Sequence, residues 1–110
     1  MYGIVIDVKV DLNREEEARD MLNNMVVPRA KTHQGIVSGY WLRDLNSDIL
    51  RTVEVYDTQA NANITAERIR SQGPPPGAPI TLMSISTYEI IAHLYYYSSH
   101  TSLLPINVKQ

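Results

Sequence analysis

The chain has 110 residues, of which 44% are hydrophobic and 20% are charged, so a single globular domain is expected. The formal net charge of −2 gives no electrostatic reason to expect nucleic acid or an anionic membrane as a partner, and no apolar run is long enough to span a bilayer. The absence of cysteine excludes disulfides and thiolate chemistry. Together with the lack of a signal-peptide pattern at the start, it favours a cytoplasmic protein.

The first predicted strand covers residues 4–10, which are rich in β-branched side chains. Ile4, Ile6, Val8 and Val10 share one face because successive strand residues point to opposite sides. The other face carries a mixture of apolar and charged residues. One side of this strand is therefore expected to lie in the core.

A helix is predicted next, with Asn13 as its N-cap and Glu16 completing a capping box. Pro28 is expected to kink or end it near Val27, because proline has no backbone N–H to donate. One apolar stripe runs along this helix at the spacing that a core-facing side requires. It consists of Ala18, Met21, Leu22, Met25 and Val26.

Residues 36–43 and 49–57 are predicted to form two strands joined by a turn, and hence a hairpin. If the pairing is centred on the turn, Trp41 lies opposite Arg51 and Tyr40 lies opposite Thr52. That register would place Trp41 on one face with Val37, Val53 and Val55, and would place Ile36, Tyr40, Leu42, Leu50 and Tyr56 on the other.

A second helix is predicted over residues 59–71, with Thr58 as its N-cap and an inner stripe of small side chains. Residues 73–79 contain four prolines and two glycines and are expected to form a stiff connector. Residues 80–93 return to strand character with an irregular alternation that indicates a bulge. Residues 94–110 are set apart as a tail that is either disordered or docked on a partner subunit.

This order of elements predicts an α+β, ferredoxin-like β-α-β-β-α-β fold with a four-stranded antiparallel sheet. The two helices cover one face of such a sheet. The second, third and fourth strands carry apolar residues on both faces, where a sheet exposed on one side would alternate cleanly. We therefore expect a homodimer that covers the second face, with higher oligomers left open.

Residues 1–93 also resemble a small actinobacterial-type branch of the dimeric α/β-barrel superfamily, which includes the antibiotic biosynthesis monooxygenase domains. The resemblance rests on residues 26–29 (VVPR), 35–43 (GIVSGYWLR), 74–79 (PPPGAP) and 88–93 (YEIIAH). It implies a ferredoxin-like domain that pairs into a dimeric barrel. The superfamily includes monooxygenases, isomerases, decarboxylases and haem-degrading enzymes. Haem degradation there is associated with a histidine on the second helix, and residues 59–71 contain none, so no cofactor is expected.

Two carboxylates interrupt apolar strands: Asp7 in the first strand and Glu54 in the third. A buried carboxylate costs several kcal/mol unless it is paired or protonated. Either carboxylate is therefore a possible proton acceptor, and Glu54 is the one chosen as a candidate catalytic residue. The alternative is that these carboxylates pair with Lys9 or Arg51 or lie exposed at the rim of a barrel.

Histidine provides a second catalytic candidate. His33, in the loop after the first helix, is a candidate general base, because histidine side chains in general can exchange protons near neutral pH. The alternative is an ordinary surface histidine. The spacing of His33, His93 and His100 matches no metal-binding motif, so no metal site is predicted.

Four aromatic residues are candidates for the walls of a pocket that binds a planar aromatic ligand: Tyr40, Trp41, Tyr56 and Tyr88. Aromatic residues on strands also commonly pack as plain core. Three functions stay open from the sequence. They are a cofactor-independent monooxygenase acting on an aromatic or quinol-like compound, a non-catalytic ligand binder, and a structural dimer.

Overall fold

The computed structural model describes residues 1–95, which form one antiparallel sheet with helices on one face. The strand order is β2-β3-β1-β4, as the ferredoxin-like prediction requires, and that prediction is confirmed. The elements in chain order are β1 (Tyr2–Val10), α1 (Glu15–Met21), α2 (Val27–Ala30), β2 (Ile36–Arg43), β3 (Ile49–Tyr56), α3 (Gln59–Gln72) and β4 (Ile80–Glu89).

The first helical segment, residues 15–30, differs from its prediction at its start, and near Pro28 it is distorted but continues. A 3-10 turn, Leu12–Arg14, precedes it, and Asp11 supplies the capping oxygen by accepting a hydrogen bond from the Asn13 amide at 3.0 Å. Asn13 as N-cap is therefore wrong. Pro28 does not end the helix: α1 passes through a π turn, Leu22–Val26, into α2. The wider turn precedes the proline, where the ordinary helical hydrogen bond is missing.

The β2–β3 hairpin is offset by one residue from the predicted register. Trp41 pairs with Thr52, and Leu42 pairs with Arg51. Because side chains alternate along a strand, this offset moves Trp41 to the face that also carries Thr52 and Glu54. The predicted division of the hairpin between the two faces is therefore wrong. A further irregularity between Ile36 and Ser38 restores the pairing of Ile36 with Tyr56.

The buried core lies between α3 and the sheet. It contains Ile4, Tyr56, Ala62 and Ala66. The small alanine side chains bring α3 close to the strands. The predicted cap is confirmed, because the Asn61 amide donates to the Thr58 hydroxyl at 3.1 Å. The bulge predicted in the last strand is also present, since the β1–β4 pairing shifts between Asp7 and Val8.

The sheet face away from the helices is partly apolar and is open in the single chain. Val5 and Val53 are half-buried at its centre, while Tyr40 and Tyr88 are exposed toward its two edges. None of the helices within residues 1–95 combines the length and apolar character needed to cross a membrane. Most of the predicted tail, residues 96–110, lies outside the described residues. The prediction that the tail is either disordered or docked on a partner subunit therefore stays a prediction.

Candidate functional site

An open cleft separates the first helical segment from the sheet. It comprises a cavity of about 420 Å³ beside α1 and a smaller one of about 180 Å³ that reaches α2 and the last turns of α3. The predicted apolar stripe of the first helix lines this space, so its orientation toward the sheet is confirmed. The two cavities are adjacent, because several side chains line both of them, among them Val8, Met21, Leu22, Trp41 and Leu50. The larger cavity is in the size range of about 300–1,000 Å³ typical of ligand pockets.

Trp41 forms part of the sheet floor of both cavities. Its indole lies along β2 over Gly39, two residues earlier on the same face. A Cβ atom at Gly39 would stand only 2.9 Å from Cη2 of the Trp41 ring. Gly39 therefore leaves the space that the indole occupies, and a flat aromatic surface faces the cleft.

The polar centre of the cleft consists of Glu54, Tyr56 and His33. The Tyr56 hydroxyl donates to Oε1 of Glu54 at 2.6 Å and lies 3.0 Å from Nδ1 of His33. The same Nδ1 is 3.6 Å from Oε1 of Glu54. Tyr56 is fully buried, the Glu54 residue is 3% exposed, and the His33 side chain is 11% exposed. His33 and Glu54 both line the smaller cavity.

The donor and the acceptor of each hydrogen bond in this network follow from the single hydrogen of the Tyr56 hydroxyl. Tyr56 has one hydroxyl hydrogen, and Glu54 accepts it, so the Tyr56 oxygen must accept at its contact with His33. Nδ1 of His33 therefore carries a hydrogen, and Nε2 of the neutral ring is left as an acceptor. Burial, followed by the hydrogen bond to Glu54, raises the pKa of Tyr56 well above its ordinary value. Tyr56 therefore stays protonated and acts as a bridge between the other two groups.

The loop that carries His33 is held in place by Gly35. Gly35 has a φ of +81°, and a Cβ there would lie 2.3 Å from Oδ1 of Asp57. The Gly35 carbonyl accepts from the Asp57 amide at 3.0 Å, and the His33 carbonyl accepts from the Ile36 amide at 3.2 Å. These bonds connect the loop to the end of β3 and the start of β2. His33 is thereby brought next to Tyr56.

The six site residues predicted from the sequence separate into two groups. Trp41 and Tyr56 lie on the helix-covered face of the sheet together with Glu54, and His33 approaches them from its loop. Tyr40 and Tyr88 lie on the opposite face, outside this cleft. The four aromatic residues therefore do not wall one pocket within a single chain.

Sequence reasoning missed four polar residues that line the smaller cavity: Thr52, Arg29, Arg68 and Gln72. Thr52 is buried on β3 beside the hairpin partner Trp41. Thr52 could have been predicted to share a sheet face with Glu54, because the two residues are separated by two positions on the same strand. No local pattern distinguishes Arg29 or Arg68 from other helical arginines.

Asp7, the other strand carboxylate, belongs to the opposite face and forms an ion pair. Its two oxygens accept from Nε and an Nη atom of Arg51 at 2.7 and 2.8 Å. These hydrogen bonds lower the pKa of Asp7 despite the opposing effect of burial. The ion-pair alternative is thus confirmed for Asp7, and Glu54 is the carboxylate that reaches the cleft.

Comparisons with solved structures identify the architecture, whereas no family model and no curated protein matches the sequence. MhuD, a haem degrader from Mycobacterium tuberculosis solved with two haems in its active site, superposes with a TM-score of 0.67 at 12% identity, over 86% of this chain and 100% of that chain. The chain has the fold of the antibiotic biosynthesis monooxygenase-like structures. The ferredoxin-like domain expected from the resemblance is confirmed.

Two further structures with this fold show how widely its sequences vary. HapK from Hahella chejuensis has a TM-score of 0.66 at 10% identity, over 89% of this chain and 100% of that chain. The monooxygenase ActVA-Orf6 of Streptomyces coelicolor, solved with the ligand nanaomycin D, has a TM-score of 0.55 at 10% identity, over 87% and 92%. At such identities the monooxygenase-like likeness establishes the fold, and the activity has to be argued from the cleft.

Proposed function

We propose that this protein binds a small aromatic or quinol-like compound in the cleft and oxidises it as a cofactor-independent monooxygenase. The observation that carries the proposal is the buried Glu54–Tyr56–His33 network, because Glu54 and His33 line the smaller cavity of the mainly apolar cleft. A carboxylate so deeply buried is costly unless donors satisfy it. Its presence beside the cavity favours a role in proton transfer.

His33 is the proposed proton acceptor. Its Nδ1 is committed to Tyr56, so Nε2 is the atom available to a substrate. When the ring takes up a proton, the Glu54 carboxylate, 3.6 Å from Nδ1, stabilises the imidazolium. Tyr56 holds the two groups in this arrangement. The division of roles follows the general logic of a base that is oriented and charge-balanced by a buried acid.

The oxidation needs only dioxygen as the second reactant. An anthrone-type substrate loses a proton from its ring CH2 group, and the resulting carbanion transfers electrons to O2. A C–O bond forms, and the peroxide loses water, so the CH2 group becomes a carbonyl. One oxygen atom stays in the product, and the other leaves as water with both hydrogens. The protein binds, orients and deprotonates the substrate, with Trp41 as the flat surface beneath it.

The open sheet face supports a homodimer as part of the same proposal. Tyr40, Leu42 and Tyr88 are 59%, 46% and 54% exposed there in the single chain, with Val5 and Val53 between them. A contiguous apolar surface of this kind is unfavourable in water and marks a protein interface. A second copy of the same face covers it by two-fold symmetry.

Oxygen consumption measured across a panel of anthrones, quinols and naphthols tests the proposed activity. We expect turnover by the wild-type protein and a loss of about 10²–10⁴-fold in kcat for His33→Ala, because positioned proton transfer contributes that much. Glu54→Gln and Tyr56→Phe should lower kcat in the same direction, and circular dichroism checks that each variant folds. His93→Ala is the matched control, because His93 lies after β4 and outside the cleft lining.

Fluorescence of Trp41, the single tryptophan, measures binding in the same samples. Quenching that persists in His33→Ala while turnover disappears would separate the proton acceptor from ligand binding. Quenching without turnover in the wild-type protein would instead identify a non-catalytic binder. If no member of the panel gives either signal, the proposed function is contradicted.

A further inference from the structure

Two arginine side chains at the smaller cavity have no partner within residues 1–95. Arg29 comes from α2 and Arg68 from α3, and both contribute to the cavity lining. Neither guanidinium group donates a hydrogen bond to, or forms an ion pair with, any other described residue. Every other arginine of residues 1–95 has a carboxylate partner. These pairs are Arg14–Glu17, Arg19–Glu15, Arg43–Glu15, Arg51–Asp7 and Arg70–Glu67.

The surroundings of these two guanidinium groups are cationic. Glu54 is the single acidic residue in the lining of the smaller cavity, and it is engaged by Tyr56 and His33. Arg29 and Arg68 therefore create a local excess of positive charge on a chain whose formal net charge is −2. Both arginine residues are exposed to solvent and also line the cavity, so their combined positive charge favours an anion at this place.

The field of Arg68 reaches the polar centre of the cleft. Burial is the main cause of the raised pKa of Tyr56, and the Arg68 guanidinium opposes that rise. Arg68 and His33 line the same cavity, so an anionic group held by Arg68 places the rest of a ligand in the cavity that His33 also faces. The approach from two different elements, α2 and α3, suits the planar, multi-donor geometry with which guanidinium groups bind carboxylates.

We infer that the ligand is an aromatic acid, whose carboxylate lies between Arg29 and Arg68 while its ring lies against Trp41. This inference rests on the proposed function and specifies its substrate class. An anchored carboxylate fixes the position of the ring, so that the acidic hydrogen of the substrate faces His33. A neutral compound of the same shape loses that anchor and binds more weakly.

A pair of probes that differ only in charge tests this subsite: 1-hydroxy-2-naphthoate and 1-hydroxy-2-naphthamide. Titration of each against Trp41 fluorescence gives its Kd. We expect the wild-type dimer to bind the acid at least about tenfold more tightly than the amide, since charge-assisted hydrogen bonds are roughly twice as strong as neutral ones. Arg29→Gln and Arg68→Gln should each reduce this preference, and the double variant should abolish it.

Arg70→Gln is the matched control. It removes the same charge from the same helix two residues beyond Arg68, and Arg70 is paired with Glu67 outside the cavity lining. Equal affinity for acid and amide in the wild-type protein would overturn the inference and leave the proposed function intact. An equal effect of Arg70→Gln and Arg68→Gln would also overturn it, because the preference would then reflect net charge alone. Failure of both probes to change Trp41 fluorescence would contradict the ligand cleft itself.

Discussion

Two glycines with similar backbone conformations differ in what surrounds them, and this difference determines what a side chain at each position would do. Gly35 and Gly77 both have positive φ, at +81° and +78°. A side chain at Gly77 would meet open space, whereas one at Gly35 would collide with the Asp57 carboxylate and the Asn61 amide. A side chain at Gly77 would therefore introduce backbone strain alone, whereas a side chain at Gly35 would add a steric collision to the same strain. Only the collision at Gly35 also bears on the loop that places His33.

Gly77→Ala should lower the free energy of unfolding by about 1–2 kcal/mol, the ordinary cost of the left-handed region. Gly35→Ala should cost more, because the side chains of Asp57 and Asn61 must also move. Urea unfolding of the two variants measures both values. If their losses are equal, the Gly35 contacts are not what constrains the His33 loop.

The pairing of two strands determines which charged side chains lie opposite each other, just as it does for apolar side chains. Asp7 on β1 lies directly opposite Arg51 on β3, so their two-point hydrogen bond follows from the register. The hydrogen bonds with Arg51 are the main reason that the pKa of Asp7 falls below its ordinary value of 3.8. A group whose pKa is lowered by folding stabilises the native state above its unfolded pKa, and this contribution is lost as the pH falls through the folded value.

Asp7→Asn should therefore reduce stability at neutral pH, and its difference from the wild type should shrink as the pH falls below 3.8. Urea midpoints at neutral pH and at about pH 3 measure the change. Asp20→Asn is the control, since Asp20 is exposed on α1 without an ion-pair partner among residues 1–95. A pH-independent effect of Asp7→Asn would show that packing, and not the charge, accounts for the loss.

Across the molecule as a whole, the two faces of the sheet differ in what lies on them. The helix-covered face contains the cleft, and the open face carries apolar side chains that need a cover. The exposed positions Tyr40 on β2 and Ile64 on α3 offer a direct comparison, because their exposed fractions are 59% and 53%. A charge at either position is tolerated by the single chain, so any difference between them reports on assembly.

Tyr40→Glu should weaken the proposed homodimer, because two-fold symmetry brings two new carboxylates to one interface. Ile64→Glu should leave the dimer unchanged. Light scattering over a series of protein concentrations measures the monomer–dimer equilibrium of each variant. A wild-type protein that is monomeric at micromolar concentration, or two variants that behave alike, would contradict the use of this sheet face.

Local patterns predicted most of the fold, because each of them is a property of one short segment. The alternation in β1, the apolar stripe of residues 18–26 and the Thr58 cap needed no knowledge of distant residues. The hairpin register was harder to predict from the sequence. A one-residue difference in the turn exchanged the sheet faces on which Trp41 and Tyr40 lie. Pattern alone could not exclude either pairing, because β2 carries apolar side chains on both faces.

The order of elements, the helix-facing side of the first strand and the costly strand carboxylates can all be inferred from the sequence. The contacts of Glu54 with Tyr56 and His33, and of Asp7 with Arg51 on the other face, arise only when the chain is folded. Folding also brings Arg29 and Arg68 to the same cavity from separate helices. The physical reason is that hydrogen bonds and charges act over a few ångströms in space, and the distances between segments are set by register, loop closure and packing.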